Sequence, residues 1–262
     1  MGWPRWSTTW KHRGRVVVMA LPDALAEHPI PPLRPPTGWQ TAPIRECGEP
    51  LVALGGFAPE RIAVDARYFA ARYPAALPEC YVRAGVAERL AAAAALLPAG
   101  WRFVVFDGWR PLAVQQHLFD LDLAALRREQ PGAADETLRE QVLRYVALPS
   151  ADPHCPSPHA TGGAVDLSLL DARGVEIPMG TPFDAFAARA ATRHFEQRLE
   201  RGERLTAAET RCLRNRRWLF HALSAVAFTN YPEEWWHYDL GNQFNGQITG
   251  TDARYGLAPL PA

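Results

Sequence analysis

The chain has 262 residues, 48% of them hydrophobic, and its 28 basic residues balance 28 acidic ones. This length suits one large domain or one domain with an arm, and a zero net charge provides neither a basic footprint for nucleic acid nor an acidic tail. No stretch approaches the ~20 apolar residues that a membrane-spanning helix needs. A small or zwitterionic substrate fits this charge balance better than a polyanion.

The first 45 residues are predicted to form a proline-rich arm. Residues 21–45 contain seven prolines, which favour an extended segment without regular structure. An alternative is that Met19 is the true start codon. In that case residues 1–18 are an artefact upstream of the protein. From Glu46 onward the composition is globular, so residues 46–262 are predicted to form one domain.

The beginning of the chain and its cysteines bear on its location. The apolar run at 16–20 is short for a signal peptide, so we expect a cytoplasmic protein, with the periplasm as the alternative. The four cysteines lie far apart and form no C-x-x-C pair, which favours reduced thiols over a disulfide framework.

Helices and short strands follow one another irregularly in the globular part. We predict helices over 86–97, from Pro111 to about Arg128, from a cap at Asp135 to about Ala147, and over 207–227. Strands are predicted over 101–106, 165–169 and 235–240. Because helices and strands do not alternate regularly, the pattern favours an α+β fold, with helices packed on an antiparallel sheet.

The segment from Ser157 to Asp166 (SPHATGGAVD) is the first candidate metal site. Gly162 and Gly163 permit a tight turn, which can bring the side chains of His159 and Asp166 to one point. A carboxylate in an apolar strand costs free energy unless it is paired or binds a metal. For this segment alone, a turn aspartate beside a surface histidine is the alternative.

The segment 234–238 (EWWHY) adds a second histidine and a second carboxylate. Residues three apart on a strand face opposite ways, so Glu234 and His237 share a site only if Glu234 precedes the regular strand. Pro232 supports this placement, since proline is excluded from central strands. Two histidines and a carboxylate are the usual donors of a catalytic zinc, and Glu234 is a candidate general base. Core tryptophans beside a solvated glutamate are the alternative.

Arg110 lies in the segment 106–111 (FDGWRP), at the predicted junction of a strand and a helix. A permanently charged guanidinium there can reach into a cleft and stabilise an oxyanion. The alternative is a surface arginine that pairs with Asp107.

Together these segments resemble the D-alanyl-D-alanine dipeptidases of the VanX type. These are zinc peptidases of the superfamily that also contains D,D-carboxypeptidases, phage endolysin peptidases and the Hedgehog signalling domain. The stretches 179–184 (MGTPFD) and 215–219 (NRRWL) are also similar to this family, and the resemblance covers roughly residues 46–245. It implies a Hedgehog/DD-peptidase-like α+β fold for a catalytic domain of residues 46–262.

The resemblance implies a role for each residue that matches the motifs. His159, Asp166 and His237 would hold Zn²⁺, one ion per chain. Glu234 would be the general base that accepts a proton from the attacking water. Arg110 would stabilise the tetrahedral intermediate.

The resemblance also implies how a dipeptide is held. Asp184 would help to bind its free amino group, and Ser157 would lie near its carboxylate. Thr161 departs from the family pattern, since an arginine is common at this position. In this family a tyrosine near the N-terminal end of the domain contacts the substrate. Tyr68 is its candidate counterpart here, but the stretch around Tyr68 resembles the family only loosely.

The predicted function is zinc-dependent hydrolysis of D-alanyl-D-alanine or a similar D,D-dipeptide. The expected partner is this small dipeptide, with no nucleic acid and no membrane. The alternative is a D,D-carboxypeptidase or endopeptidase on peptidoglycan stem peptides, which would normally need export. A non-catalytic zinc-binding interaction domain is a further alternative, but it predicts loss of Glu234 or Arg110, and both are present.

Overall fold

The strand predicted at 165–169 runs from Ala164 to Leu170 and lies at the centre of a five-stranded sheet. The structure is a computed structural model, and it describes residues 24–260. The proposed artefact at 1–18 and the alternative start at Met19 lie outside these residues. Within the described part, no helix is long and apolar enough to cross a membrane.

Seven strands and eight α-helices make up the described chain. The strands are β1 (Leu51–Ala53), β2 (Ile62–Val64), β3 (Tyr81–Arg83), β4 (Arg102–Asp107), β5 (Ala164–Leu170), β6 (Thr229–Asn230) and β7 (His237–Asp239). The helices are α1 (Ala24–Glu27), α2 (Arg67–Ala70), α3 (Ala84–Ala94), α4 (Leu112–Glu129), α5 (Asp135–Leu143), α6 (His194–Glu200), α7 (Ala207–Ser224) and α8 (Gln243–Thr249). Short 3₁₀ helices span Trp39–Thr41, Pro158–Thr161 and Ala188–Ala190.

The main sheet has the strand order β2-β4-β5-β7-β6. Its neighbouring strands are antiparallel except β2 and β4, which are parallel at one edge. β1 and β3 form a separate antiparallel pair. The predicted α+β fold is confirmed, and the parallel edge pair is a detail that the prediction did not include.

β5 is buried on both faces, and the two faces serve different purposes. Val165, Leu167 and Leu169 belong to the main hydrophobic core, which α3 and α7 also line. Side chains alternate along a strand, so Asp166 and Ser168 face the other way. This alternation leaves a carboxylate buried in the middle of the sheet.

Strand register brings three polar residues together across the sheet. Asp166 pairs with His237 on β7 and with Asp107 on β4. The register of β4 against β5 shifts between Val105 and Asp107, which marks a bulge at the end of β4. The bulge places Asp107 beside Asp166 just before the chain leaves the sheet towards α4.

The predicted helices are present, with differences at their ends. α4 begins at Leu112, directly after Pro111. Asp135 is the first residue of α5 and caps no backbone group, because its carboxylate pairs with Arg127 and Arg139. α7 begins with a capping box, in which the side chain of Thr206 accepts from the N–H of Glu209.

The described part of the predicted arm packs against the domain. Residues 24–45 contain the short helix α1 and a 3₁₀ helix, so the expectation of no regular structure is wrong for these turns. Ile30 is fully buried, and its N–H donates to Glu196. Arg217 pairs with the same carboxylate and donates to the carbonyl groups of Ala26 and Glu27. The ion pair thus joins α6 and α7 to the arm.

Candidate metal centre and active site

Three predicted metal ligands converge in the structure. His159 Nε2 lies 3.2 Å from His237 Nδ1. Carboxylate oxygens of Asp166 lie 3.1 Å from His237 Nδ1 and 3.4 Å from His159 Nε2. All three residues are buried, and in the described part of the chain they form a group that could hold a metal ion.

The outer hydrogen bonds of the two histidines decide which nitrogen atoms face this point. His159 Nδ1 lies 2.7 Å from the carbonyl oxygen of Gly108, so this nitrogen carries the proton. His237 Nε2 lies 3.1 Å from Asp239 Oδ2 and His237 Nδ1 lies 3.1 Å from Asp166 Oδ1, so a carboxylate oxygen faces each nitrogen of this ring. In the tautomer with its proton on Nε2, His237 turns the lone pair of Nδ1 towards Asp166, as His159 does with Nε2. Three electron-pair donors then face one point, where a cation would be stabilised.

The spacing of the three donors fits zinc. In a tetrahedral site with ligand distances of about 2.0–2.2 Å, ligand atoms are about 3.3–3.6 Å apart. The two histidine nitrogens are 3.2 Å apart, which is close to this range. Asp166 Oδ1 lies 3.1 Å from His237 Nδ1, and the other oxygen, Oδ2, lies 3.4 Å from His159 Nε2. Imidazole and carboxylate are ordinary zinc ligands, and three protein ligands leave a fourth position open.

The local chain around His159 follows from its sequence. Pro158 begins the short 3₁₀ helix that carries His159, and Gly162 ends it with φ of 70°. A side chain at Gly162 would also collide with Leu51. Glycine is required here because the left-handed turn sends the chain directly into β5. The predicted tight turn between His159 and Asp166 is therefore present.

Arg110 joins this centre through buried ion pairs. Its Nε donates to Asp107 over 2.6 Å, and its Nη2 donates to Asp166 Oδ2 over 2.9 Å. A third bond runs from Nη1 to the side-chain oxygen of Gln115 on α4. Its planar group also lies over the ring of Tyr68. Arg110 is thus buried in the site as well as paired with Asp107.

The electrostatic balance of the centre favours an ionised Asp166. Burial by itself would raise the pKa of Asp166, but the neighbouring histidines hold it well below its usual range. Burial lowers the pKa of His237, while Asp239 and Asp166 together raise it well above its usual value. The centre therefore attracts a cation, either a proton or a metal ion.

Glu234 lies where the sequence predicts it, on the turn that enters β7. Its Oε2 is 4.0 Å from His237 Nδ1. The carbonyl oxygen of Glu234 accepts bonds from Asn230 Nδ2 and Thr192 Oγ1, both over 3.0 Å, and these bonds fix the turn. Burial, with the negative charges of Asp166 and Asp184, raises the pKa of Glu234 well above its usual value, against the charge of His237. A carboxyl group with a raised pKa beside a metal site suits proton transfer.

Asp184 is at the mouth of the same site. The hydroxyl group of Tyr68 donates to its Oδ2 over 3.2 Å, and the backbone of Asp184 has a left-handed φ of 62°. Desolvation by the surrounding protein raises the pKa of Asp184. Asp184 is nevertheless exposed to solvent, and contact with water stabilises its ionised carboxylate and opposes this rise in pKa. Phe183 packs against Tyr68, Phe106 and Trp236 and forms an apolar wall beside it.

Ser157 does not join this group of side chains. Its hydroxyl group donates to the carbonyl oxygen of Leu148 over 3.1 Å and accepts from the N–H of Ser150 over 2.8 Å. A substrate carboxylate needs a donor, and the single proton of Ser157 already has an acceptor. In this structure Ser157 instead holds the loop that precedes the 3₁₀ helix of His159.

The sequence analysis missed two carboxylates of the site and underestimated one tyrosine. Asp239 follows His237 by two residues, so the period of a strand places both on one face, and this spacing could have identified it. The sequence predicts Asp107 only as a surface partner of Arg110. Tyr68 matches the family only loosely in sequence, and in the structure its hydroxyl group donates to Asp184.

Comparisons with known proteins agree with the resemblance. The model of the peptidase M15 family, described as D-ala-D-ala dipeptidase, matches residues 67–255. A D-alanyl-D-alanine dipeptidase from Synechocystis sp. (strain ATCC 27184 / PCC 6803 / Kazusa) is 31% identical over 227 residues, which cover 81% of this chain and 89% of that protein.

Solved structures are more distantly similar. A mutant of the vancomycin resistance D,D-pentapeptidase VanY, in complex with Zn(II), has a TM-score of 0.39 and 19% identity, and the match covers 70% of this chain and 89% of that one. VanYB in complex with D-alanine-D-alanine has a TM-score of 0.37 and 18% identity, with 66% and 81% covered. At these values the likeness carries no argument about the site.

An α+β fold with a buried His-Asp-His group that could hold a metal ion is an arrangement that suits a metallopeptidase. The family match and the 31% identical relative are more specific. The chain belongs to the D-ala-D-ala dipeptidase family of peptidases.

Proposed function

We propose that this protein is a zinc dipeptidase that hydrolyses D-alanyl-D-alanine or a similar D,D-dipeptide. One observation carries the proposal. The three donor residues converge beside a buried glutamate and a buried arginine, within a chain of the D-ala-D-ala dipeptidase family. The substrate named in the description of the relative fits a site with an acidic group at its mouth and an apolar wall.

His159, Asp166 and His237 would hold the ion. A Zn²⁺ ion bound there would supply a coordinated water with a pKa of about 7 and a Lewis acid for the scissile carbonyl. Asp166 has one oxygen turned towards His237, while Arg110 binds the other. Arg110 thus fixes the orientation of the ligand carboxylate as well as contributing charge.

Glu234 is the proposed general base. Its carboxylate oxygen Oε2 lies 4.0 Å from Nδ1 of the proposed ligand His237. Asn230 and Thr192 hold the turn that carries Glu234 in place. It accepts the proton of the attacking water, and its raised pKa suits it to deliver this proton to the leaving amino group. Proton transfer of this kind contributes on the order of 10²–10⁴ in rate.

Arg110 is the proposed stabiliser of the oxyanion. Asp107, Asp166 and Gln115 anchor its guanidinium, so the group needs no reorganisation when negative charge develops on the carbonyl oxygen. Loss of one such donor typically costs on the order of 10²–10³ in rate.

Asp184 is the proposed partner of the free amino group of the dipeptide. It is an ionisable acceptor exposed at the mouth, and Tyr68 orients its carboxylate. Phe183 would lie beside the small methyl side chains of the substrate. The carboxylate of the dipeptide has no assigned partner, since the hydroxyl proton of Ser157 is already bonded within its own loop.

The test is alanine release by the zinc-loaded protein from three peptides. We expect release from D-Ala-D-Ala, and none from L-Ala-L-Ala or from a pentapeptide that ends in D-Ala-D-Ala. Release from the pentapeptide would instead assign a carboxypeptidase. A zinc-loaded protein that cleaves none of the three would refute the proposed substrate.

A further inference from the structure

Two stretches that resemble the family, 179–184 and 215–219, contact each other, and the second has no role in the proposed reaction. Residues 215–219 lie on α7, and residues 179–184 begin the loop 179–191, which carries Asp184. Arg216 donates to the carbonyl groups of Met179, Arg189 and Ala191 over 2.7–2.8 Å. Asn215 adds a bond to the carbonyl oxygen of Pro178 over 2.7 Å. Arg216 thus ties both ends of the loop to one helix.

Arg216 is an unusual cation. It is 1% exposed, and the described residues place no carboxylate within 4.0 Å of its guanidinium. Its charge is met by three carbonyl dipoles and by the ring of Phe195, 4.8 Å away. Burial lowers the pKa of Arg216 to about 9, which leaves it charged at neutral pH. A buried charge without an ionic partner costs free energy, so its retention calls for a reason.

The loop between these carbonyl groups supports both sides of the active site. Asp184 lies in the middle of the loop, and its backbone adopts the left-handed conformation. The indole N–H of Trp235 donates to Thr181 over 2.8 Å, and the backbone N–H of Trp235 donates to Ala190 over 3.0 Å. Trp235 follows Glu234 directly. The same loop therefore carries the proposed amine-binding carboxylate and contacts the turn of the proposed base.

We propose that Arg216 is a positioning residue that holds the loop 179–191 in the conformation in which Asp184 receives the amino group of the substrate. The inference rests on the proposed function, in the part that assigns the amino group to Asp184. Three N–H bonds from one rigid guanidinium fix the two ends of the loop at a constant separation. A lysine has a point charge and cannot reach three carbonyl groups in this planar arrangement.

The experiment compares two inhibitors of the zinc-loaded protein. One is the phosphinate analogue of D-alanyl-D-alanine, and the other is the same phosphinate without its amino group. Arg216→Lys should weaken the amino compound about tenfold, because a charged hydrogen bond is misaligned, and leave the compound without the amino group within about twofold. Asn215→Ala should give a smaller effect in the same direction, and it carries the test if Arg216→Lys does not fold.

Arg217→Lys is the matched control. Arg217 is the next residue on α7 and is also buried, but it pairs with Glu196 and the arm instead of the loop. We expect a lower midpoint of thermal unfolding and an unchanged ratio of the two inhibition constants. An Arg216→Lys protein that binds both inhibitors with equal loss, or with no loss, would overturn the inference.

Asp184→Asn separates this inference from the proposed function. If Asp184→Asn loses the preference for the amino compound and Arg216→Lys keeps it, the positioning role of Arg216 is wrong. If Asp184→Asn keeps the preference, the assignment of the amino group to Asp184 fails, and the inference fails with it. The zinc affinity of each variant, measured by competition with a chromophoric chelator, should equal that of the parent protein.

Discussion

His159 Nε2 and His237 Nδ1 lie 3.2 Å apart, although 78 residues separate them in the chain. The outer nitrogens of the two rings face the carbonyl oxygen of Gly108 and the carboxylate of Asp239. When these outer nitrogens carry the protons of neutral rings, two lone pairs face each other at this distance, and a bound cation would remove their repulsion.

Removal of the metal should therefore destabilise the protein. We expect one zinc per chain after purification in zinc, loss of activity in a strong chelator, and recovery when zinc is added. Free zinc at about 1,000 times the dissociation constant would stabilise the native state by about 4 kcal/mol. Thermal unfolding with and without chelator, together with metal analysis, measures both effects, and an unchanged unfolding midpoint would contradict a buried zinc site.

Glu234→Gln should lower kcat by about 10²–10⁴ while zinc binding is retained. The amide is close in size to the carboxylate, so the turn keeps its bonds from Asn230 and Thr192. Glu233→Gln is the matched control. Glu233 directly precedes Glu234 in the chain, but its carboxylate faces Arg144 instead of the metal centre. If Glu234→Gln retains parental kcat with one zinc bound, the base is another residue.

Asp239→Asn should weaken zinc binding by about 10–100-fold, the usual effect of altering a group that orients a ligand histidine. The carboxylate of Asp239 binds His237 Nε2 and is itself held by Asn242 Nδ2. Competition with a chelator gives the affinity, and Asp171→Asn, on the turn after β5, is the control. Equal affinities in the two variants would show that His237 needs no orienting carboxylate.

Asp122 on α4 provides a pH-dependent test of stability. Burial raises its pKa from 3.8 to about 6. A carboxyl group with a raised folded pKa contributes its full stability below pH about 4 and loses it as the pH rises through about 6. Asp122→Asn should therefore match the parent at pH 4 and exceed it by about 1–2 kcal/mol at pH 8.

Urea unfolding of each variant and the parent from pH 4 to pH 8 measures this difference for Asp122, and in the same experiment Asp135 should give the opposite trend. Hydrogen bonds from Arg127 and Arg139 lower the pKa of Asp135, so its contribution is present above pH about 4 and disappears as the pH falls. Asp135→Asn should accordingly be less stable than the parent at pH 8 and approach the stability of the parent in acid.

One outcome would contradict the expectation for Asp122. An Asp122→Asn protein that loses stability with rising pH as steeply as the parent would show that the carboxyl group of Asp122 is not the cause.

The amino-acid sequence by itself determined the fold class and the peptidase family, and it named the three side chains that converge in the structure. The glycines after His159 permit a tight turn, and Pro232 keeps Glu234 off the strand, so these placements depend on local chain geometry. Only the tertiary structure decided which carboxylates complete the centre. Asp107, Asp166 and His237 meet through strand register, and a shift by one residue would turn each side chain to the other face. The folded conformation of its own loop binds the hydroxyl proton of Ser157 to Leu148. Packing of α7 against the loop of Asp184 sets Arg216 against the carbonyl group of Met179, and such a contact between distant segments cannot be read from local sequence.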